Sequence, residues 1–326
     1  MTIGLPKALL YHQYGVLWEE FFHELGCTVL TSDDTNLATF KQGAQDAVSE
    51  CCLPAKVYLG HVRALMGRCD YILVPYATGK TGGDAFCVRF WGIGDVVRHT
   101  YPGIRLLEYD ICKNGADFKG FKSMAKRLGK NTGQARSAYI SAVEAQNRQY
   151  RRLRDAQENL LANSKLKILI AGHPYVIHDP FIGGPAVNIL SRLGAVLFYS
   201  DRCQALPPLF SDISPRLYWA ANQEIINAIA TYKRRVDGVL LLTTFPCAPD
   251  ALANEITLRA VKGIPIAPIS LDGLQGEAGL VTRLECFVDI LLERKDRRET
   301  EPACNFVPAY GQLSGAYRAG AEAAVS

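Results

Sequence analysis

The sequence lacks long apolar runs. No stretch approaches the roughly 20 apolar residues that a membrane-spanning helix needs. It also lacks a basic-then-apolar leader, because Thr2 to Leu5 already has the pattern of a short strand. These two absences predict a cytoplasmic protein with no membrane contact.

An excess of one charge is also lacking. The net charge is only +4, from 36 Lys and Arg against 32 Asp and Glu, and the basic residues are scattered. The densest basic run, Arg148 to Arg154, falls in a polar helical segment and is expected to face solvent. A nucleic-acid-binding surface is therefore not expected.

Several compact motifs are missing. No Cys-x-x-Cys pair occurs, which argues against a zinc ribbon or a ferredoxin-like run. No Gly-x-Gly-x-x-Gly follows the first strand, and the segment Gly79-Lys80-Thr81-Gly82-Gly83 lacks the earlier glycine of a phosphate-binding loop. The sequence thus gives no signature of a dinucleotide or nucleoside triphosphate.

What the sequence does have is a repeated alternation of apolar strand patterns with amphipathic helices. Its 326 residues exceed one typical domain, and 48% of them are hydrophobic. Alternating strands and helices predict parallel sheets covered on both faces. We predict two doubly wound, mostly parallel α/β domains at 1–115 and 165–295, a helical linker at 116–164 and a poorly ordered tail at 296–326.

Ten cysteines without an export leader indicate metal-binding or catalytic thiols rather than disulfides. The pattern Cys-x-Pro occurs twice, at Cys52-Leu53-Pro54 and Cys247-Ala248-Pro249, each before a helical pattern. Cys87 follows a glycine-rich loop and also precedes a helix. Soft thiolates in such positions suit an iron–sulfur cluster or zinc. The alternative is that they are small buried side chains, as cysteines often are.

Other candidates are less specific. His173 and Tyr175 follow a predicted strand end, where ligands bind in α/β folds. Arg283 opens the last helix and could hold an anionic substrate, or could serve only in an ion pair. Whether Cys51 or Cys203 also contributes a ligand stays open.

A set of segments resembles one known group of proteins over nearly the whole chain, to about Leu292. The group is the activase-related branch of the 2-hydroxyacyl-CoA dehydratases, benzoyl-CoA reductases and double-cubane cluster proteins. The matching segments are Ile3 to Tyr11, Phe22 to Gly26, Ser32 to Thr35, Glu50 to Lys56, Gly60-His61, Gly172 to Tyr175, Phe245 to Asp250, Gly276 to Gly279 and Thr282 to Glu285.

The resemblance implies two α/β domains with a cysteine-bound iron–sulfur cluster between them. It implies Cys52, Cys87 and Cys247 as ligands of a [4Fe–4S] or double-cubane cluster, and thus selects Cys52 over Cys51. It further implies electron delivery from a separate ATP-dependent activase, and reduction or dehydration of an acyl-CoA-type substrate. A second dehydratase-type subunit or a homodimer would complete the assembly.

Three alternatives remain at this point. The first is a double-cubane-type reductase of small molecules, which needs about twice the sulfur ligands. The second is a non-catalytic metal-binding assembly or scaffold component. The third is structural zinc.

Overall fold

The computed structural model describes residues 1–78, 86–111, 117–163, 165–203, 217–273 and 276–300. The glycine-rich segment 79–85 and the end of the predicted tail, 301–326, lie outside the described residues. Within the described ranges, no helix combines the length and hydropathy that a membrane crossing needs.

The first half of the chain forms a four-stranded parallel sheet with the strand order β2-β1-β3-β4. Its elements are β1 (Thr2–Leu5), α1 (Tyr11–Glu24), β2 (Thr28–Thr31), α2 (Leu37–Asp46), α3 (Leu53–Leu65), β3 (Tyr71–Tyr76), α4 (Val88–Thr100) and β4 (Leu106–Asp110).

The second half repeats this topology in the order β6-β5-β7-β8, again all parallel. Its elements are β5 (Lys167–Ala171), α7 (Pro174–Ile177), α8 (Gly184–Arg192), β6 (Val196–Tyr199), a 3₁₀ turn (Ser200–Arg202), α9 (Ala220–Tyr232), β7 (Gly238–Thr244), α10 (Ala248–Ala260), β8 (Ile266–Leu271) and α11 (Glu277–Thr300). The predicted α/β class with two parallel-sheet domains is confirmed.

Two helices join the halves, α5 (Phe118–Arg127) and α6 (Thr132–Leu160), separated at the break that the glycines near 129–133 predict. The 29-residue α6 packs along α1, and its Ala135, Ala138 and Ala142 are buried in the core of the first domain. Farther along, Gln157 exchanges hydrogen bonds with the backbone of Tyr199 in the second sheet. The segment predicted as a linker is therefore also a packing element.

The two domains share a continuous apolar core. One cluster of buried side chains includes Leu59 and Val62 of α3 together with Ile170 of β5 and Leu240 of β7. Phe40 of α2 stacks on Phe181 from the second domain, with ring centroids 5.6 Å apart. The interface is thus apolar except at the strand ends.

Each sheet has its switch point between the two central strands, where consecutive connections leave in opposite directions. Ligands of such folds bind beyond the carboxyl ends of these strands. In the second domain the segments that follow β5 and β7 carry His173 and Cys247. In the first domain the segment after β3 leads to Cys87.

Helix α4 begins at Val88, directly after Cys87, and the short helix α7, Pro174–Ile177, begins directly after His173. One observed boundary differs from the predicted ones. Helix α11 continues to Thr300, so residues 296–300 of the predicted tail are helical.

Candidate functional site

Three cysteines directly precede helices at the domain interface. Cys52 is the N-cap of α3, Cys87 of α4 and Cys247 of α10. A proline lies in the first turn of α3 and of α10, as the Cys-x-Pro pattern predicts. The backbone N–H of Leu53 donates to the carbonyl of Phe245 at 3.4 Å, so the Cys52 and Cys247 loops touch across the domain boundary.

The side chain of Tyr175 is influenced by the charges of all three thiols. Burial raises the pKa of the Tyr175 hydroxyl well above its usual value, and the charges of Asp250, Cys247, Cys52 and Cys87 raise it further. All three sulfurs are therefore within electrostatic range of one hydroxyl. We call Cys52, Cys87, Cys247 and Tyr175 the thiol site.

The thiols of this site are only partly buried, and none is in a disulfide. Burial raises the pKa of Cys52, and the nearby N–H of Ala55 opposes that rise. Burial and the Asp250 carboxylate raise the pKa of Cys247. None of the three sulfurs forms a side-chain cap hydrogen bond with its helix. Because metal binding releases the thiol proton, both raised pKa values make the binding of a metal centre pH-dependent.

A buried ion pair supports the Cys247 loop. His173 Nε2 lies 2.8 Å from Asp250 Oδ1, and Asn222 Nδ2 donates to the same oxygen at 2.8 Å. Burial alone would lower the pKa of His173, but the charge and hydrogen bond of Asp250 outweigh it and the pKa is raised. His173 also stacks on Tyr175, with planes 9° apart and centroids at 4.9 Å. The imidazole thus connects the Tyr175 ring to the first turn of α10.

The donor set suits an iron–sulfur cluster in type. Thiolates from separate loops that meet at a domain interface are what a cluster requires. Within the described ranges, however, no three His, Cys, Asp or Glu side chains are grouped tightly enough to hold one metal ion. Structural zinc, whose sulfur ligands lie about 2.3 Å from the ion, stays an alternative that metal analysis distinguishes from a cluster. The ligand set Cys52, Cys87 and Cys247 stays a prediction.

The remaining candidates lie elsewhere. Cys51 is buried and lines a cavity between α3 and α4. Cys203 packs in the core of the second domain, where Gln157 Nε2 lies 3.8 Å from its sulfur. Arg283 lies on the exposed face of α11. Of the three predicted catalytic residues, His173 and Tyr175 are therefore at the thiol site, and Arg283 is placed on an exposed helix surface.

A second buried polar group crosses the interface and was not predicted as a unit. Ser32 Oγ lies 2.7 Å from His61 Nδ1, and Thr35 Oγ1 lies 2.8 Å from His61 Nε2. Thr35 donates its hydroxyl proton to Asp179 Oδ2, which belongs to the second domain. We call Ser32, His61, Thr35 and Asp179 the hydroxyl–imidazole network.

Counting donors assigns every proton in this network. Thr35 has one hydroxyl proton and gives it to Asp179, so it must accept a hydrogen bond from His61 Nε2–H. His61 Nδ1 must then accept from Ser32, whose oxygen accepts the backbone N–H of Lys7 at 2.8 Å. His61 is thus a neutral imidazole with one tautomer.

The charges agree with this assignment. Burial lowers the pKa of His61 to about 4. The Asp179 carboxylate accepts backbone N–H groups from Phe181 and Ile182 at 2.9 and 2.8 Å, and His12 Nε2 lies 3.7 Å from it. Burial would raise the pKa of Asp179, but these partners outweigh burial and lower it. The network therefore holds one negative charge, fully hydrogen-bonded, between the domains.

A signal for the network was present in the sequence. Ser32 to Thr35 follows the strand Thr28–Thr31, and the segment around Asp179 follows the strand Lys167–Ala171. The Ser32 to Thr35 segment has the pattern of a turn and helix cap, and Asn36 does cap α2 through Ala38 and Thr39. The pairing of Thr35 with Asp179 spans 144 residues, and no local pattern indicates it.

Comparison with known proteins gives one family. A family model described as "CoA enzyme activase uncharacterised domain (DUF2229)" matches residues 2–202. The match includes Cys52 and Cys87 and ends before Cys247. A search of the curated proteins gave no match.

Solved structures show only remote likeness. An FpvC mutant from Pseudomonas aeruginosa is 14% identical, with 90% of this chain and 100% of that chain covered and a TM-score of 0.27. ZnuA is 10% identical, with 90% and 98% covered and a TM-score of 0.26. At these TM-scores the likeness carries no argument about fold or ligand.

Proposed function

The chain belongs to the family of CoA enzyme activase uncharacterised domains, and from that premise we propose that it is an iron–sulfur protein of CoA-ester metabolism. In this proposal it receives low-potential electrons from a separate ATP-hydrolysing activase. It passes them to an acyl-CoA-type substrate, which it reduces or dehydrates. The family description supports a link to activases and CoA enzymes, and the electron-transfer role is our inference.

The observation that supports the proposal is that three thiols, each directly preceding a helix on a separate loop, all act electrostatically on Tyr175. Thiols without a cap hydrogen bond, on separate loops, resemble ligands more than packing residues. Cys52, Cys87 and Cys247 would hold the cluster. When bound, a cluster supplies one-electron transfer at low potential.

The protein's own groups have definite roles around these thiols. Burial and the neighbouring acidic groups raise the pKa of Tyr175, so this residue keeps its proton at the site in neutral solution. The His173–Asp250 pair and Asn222 hold the start of α10, and with it Cys247, in place. Such outer partners orient metal ligands and tune their charge.

Electrons require a donor that this sequence does not supply by itself. No phosphate-binding loop or dinucleotide motif is present, so ATP hydrolysis would occur on the activase partner. A second dehydratase-type subunit or a homodimer remains a prediction from the resemblance. A double-cubane reductase is the second candidate, and it requires about twice as many sulfurs as the three thiols that act on Tyr175.

The test is anaerobic reconstitution of the full chain with iron and sulfide, followed by metal analysis and electron paramagnetic resonance of the reduced protein. We expect about four irons per chain for a single cubane and about eight for the double-cubane alternative. The variants Cys52→Ser, Cys87→Ser and Cys247→Ser should each lose most of the iron. Cys286→Ser, at an exposed cysteine of α11, is the matched control and should keep it.

Two results would overturn the proposal. One is a colourless chain that stays free of iron after reconstitution. The other is full iron content in all three thiol variants, which would place the metal elsewhere.

A further inference from the structure

A cavity of about 180 Å³ lies between α3 and α4, next to the thiol site. Its floor is made by Cys51, Ala55, Leu59 and Ile93, all buried. Its open side lies beside Val88, which is 73% exposed. The helices that form its walls are the two that Cys52 and Cys87 cap.

The size and lining of the cavity limit what it can take. An apolar cavity of about 150 Å³ is large enough to hold benzene, so this one accommodates roughly six carbon atoms. The floor offers aliphatic groups and one thiol, and no charged side chain. A compact apolar group is therefore the complementary occupant.

Arg89 gives the cavity its single charge. It is the one ionised side chain among the lining residues. Arg89 Nη2 donates a long hydrogen bond of 3.4 Å to the Glu50 carbonyl. A guanidinium has five N–H donors, so this bond leaves donors for a ligand. A guanidinium also matches a carboxylate geometrically. Arg89 lines the cavity and follows Cys87 by two residues, and its charge also acts on the Cys52 thiol, so the arginine is near both the cavity and the thiol site.

We propose that this cavity binds the alkyl part of a short acyl compound of about six carbons, and that Arg89 binds its carboxylate or carbonyl oxygen. The inference rests on the proposed function and deepens it, because it names the acyl group that would lie beside the thiols. The thioester end of such a compound would then point along Arg89 toward Cys52. A long-chain acyl group would not fit.

Gly92 keeps the cavity open. A Cβ added there would meet no atom within 4 Å, and the glycine lies inside α4 without a positive φ. A larger side chain at this position therefore fills the cavity without a backbone clash. It also replaces a residue that destabilises a helix by roughly 1 kcal/mol relative to alanine.

The experiment is a calorimetric titration of the full chain with butanoate, hexanoate and decanoate, and with 1-hexanol as the uncharged probe. Each buried methylene should raise the affinity about fourfold, so hexanoate should bind about 15-fold more tightly than butanoate. Decanoate should gain nothing further, because the cavity is full. An affinity that does not depend on chain length would overturn the proposal.

Two substitutions test the two halves of the site. Gly92→Leu should weaken hexanoate binding at least tenfold. Gly279→Leu is the control and should not change the binding, because Gly279 is an exposed helical glycine on α11 with equally open surroundings. Arg89→Gln should weaken the binding of hexanoate about tenfold and leave the binding of hexanol unchanged. Arg68→Gln, just beyond the C-terminal end of α3, is the control and should change neither. Wild-type affinity in Gly92→Leu would overturn the proposal. If Gly92→Leu does not fold, Val96→Phe, one turn farther along α4, fills the same cavity and should weaken hexanoate binding to the same extent.

Iron content separates this inference from the proposed function. Gly92→Leu replaces none of the thiols, so it should lose hexanoate and keep iron. A chain that binds hexanoate but never binds iron would keep the cavity as a carboxylate site and refute the electron-transfer role. A chain that binds iron but no carboxylate would keep the proposed function and refute the carboxylate site.

Discussion

The thiol site and the hydroxyl–imidazole network lie at the ends of parallel strands on the same domain interface, but their polar groups are satisfied differently. In the network, each proton of Ser32, His61 and Thr35 has an acceptor. In the thiol site, Cys52, Cys87 and Cys247 precede their helices without a side-chain cap hydrogen bond.

The difference indicates two roles. A closed set of buried hydrogen bonds stabilises one arrangement of the domains and has no capacity left for a ligand. Thiols without strong partners contribute little to stability and remain open to ligation. We therefore assign the network to holding the domains together, whereas the thiol site stays the predicted place of the proposed chemistry.

The largest expected effect is that of Asp179→Ala. It would leave the Thr35 hydroxyl and the N–H groups of Phe181 and Ile182 buried without an acceptor, so we expect a loss of about 3–5 kcal/mol in the free energy of unfolding. Urea unfolding of the apo chain measures it. Asp33→Ala, at an exposed aspartate, is the control with an expected change below about 0.5 kcal/mol. Equal stability of both variants would refute the structural role of the network.

The next effect is acid sensitivity. His61 titrates near 6.5 when unfolded and, because burial lowers its pKa, near 4 when folded. The unfolded chain thus binds more protons in this interval, and the free energy of unfolding falls as the pH drops from about 6.5 to 4. His61 alone contributes about 3 kcal/mol of this fall. Protonation of Asp179, whose pKa is also lowered, weakens the fold further at still lower pH.

Urea unfolding between pH 7 and pH 4, for the wild type and for His61→Gln, isolates this contribution. The variant should show a flatter dependence, whatever its absolute stability. His12 Nε2, which lies 3.7 Å from Asp179 Oδ2, is unchanged in both proteins. Parallel pH curves would contradict the neutral state of His61.

The smallest effect is expected at the thiol site. Cys247→Ala should change the free energy of unfolding of the apo chain by about 1 kcal/mol or less, because the side chain is partly exposed and small. The same measurement on Asp179→Ala gives the reference. A loss as large as that of Asp179→Ala would show that Cys247 is a structural residue, and the contrast between the two sites would fail.

Much of the fold could be predicted from local patterns. The apolar run of residues 236–244 and the amphipathic spacing of the first helix predict elements close to those observed, because periodicity acts over short distances. The Cys-x-Pro pattern placed Cys52 and Cys247 at helix starts for the same reason. Arg283 was named for its position at the start of a helix, and periodicity could not show that the structure would place it on an exposed face.

The sequence by itself determined the two parallel α/β halves and the residue types at their strand ends, since both depend on periodicity and turn chemistry within a few residues. Only the tertiary structure decided which of those residues meet. The hydrogen bond from Thr35 to Asp179, the electrostatic effect of Cys87 and Cys247 on Tyr175, and the cavity beside Arg89 all join positions far apart in the chain. Such contacts depend on how two separately folded sheets pack, and that packing is set by the whole apolar interface rather than by any local stretch.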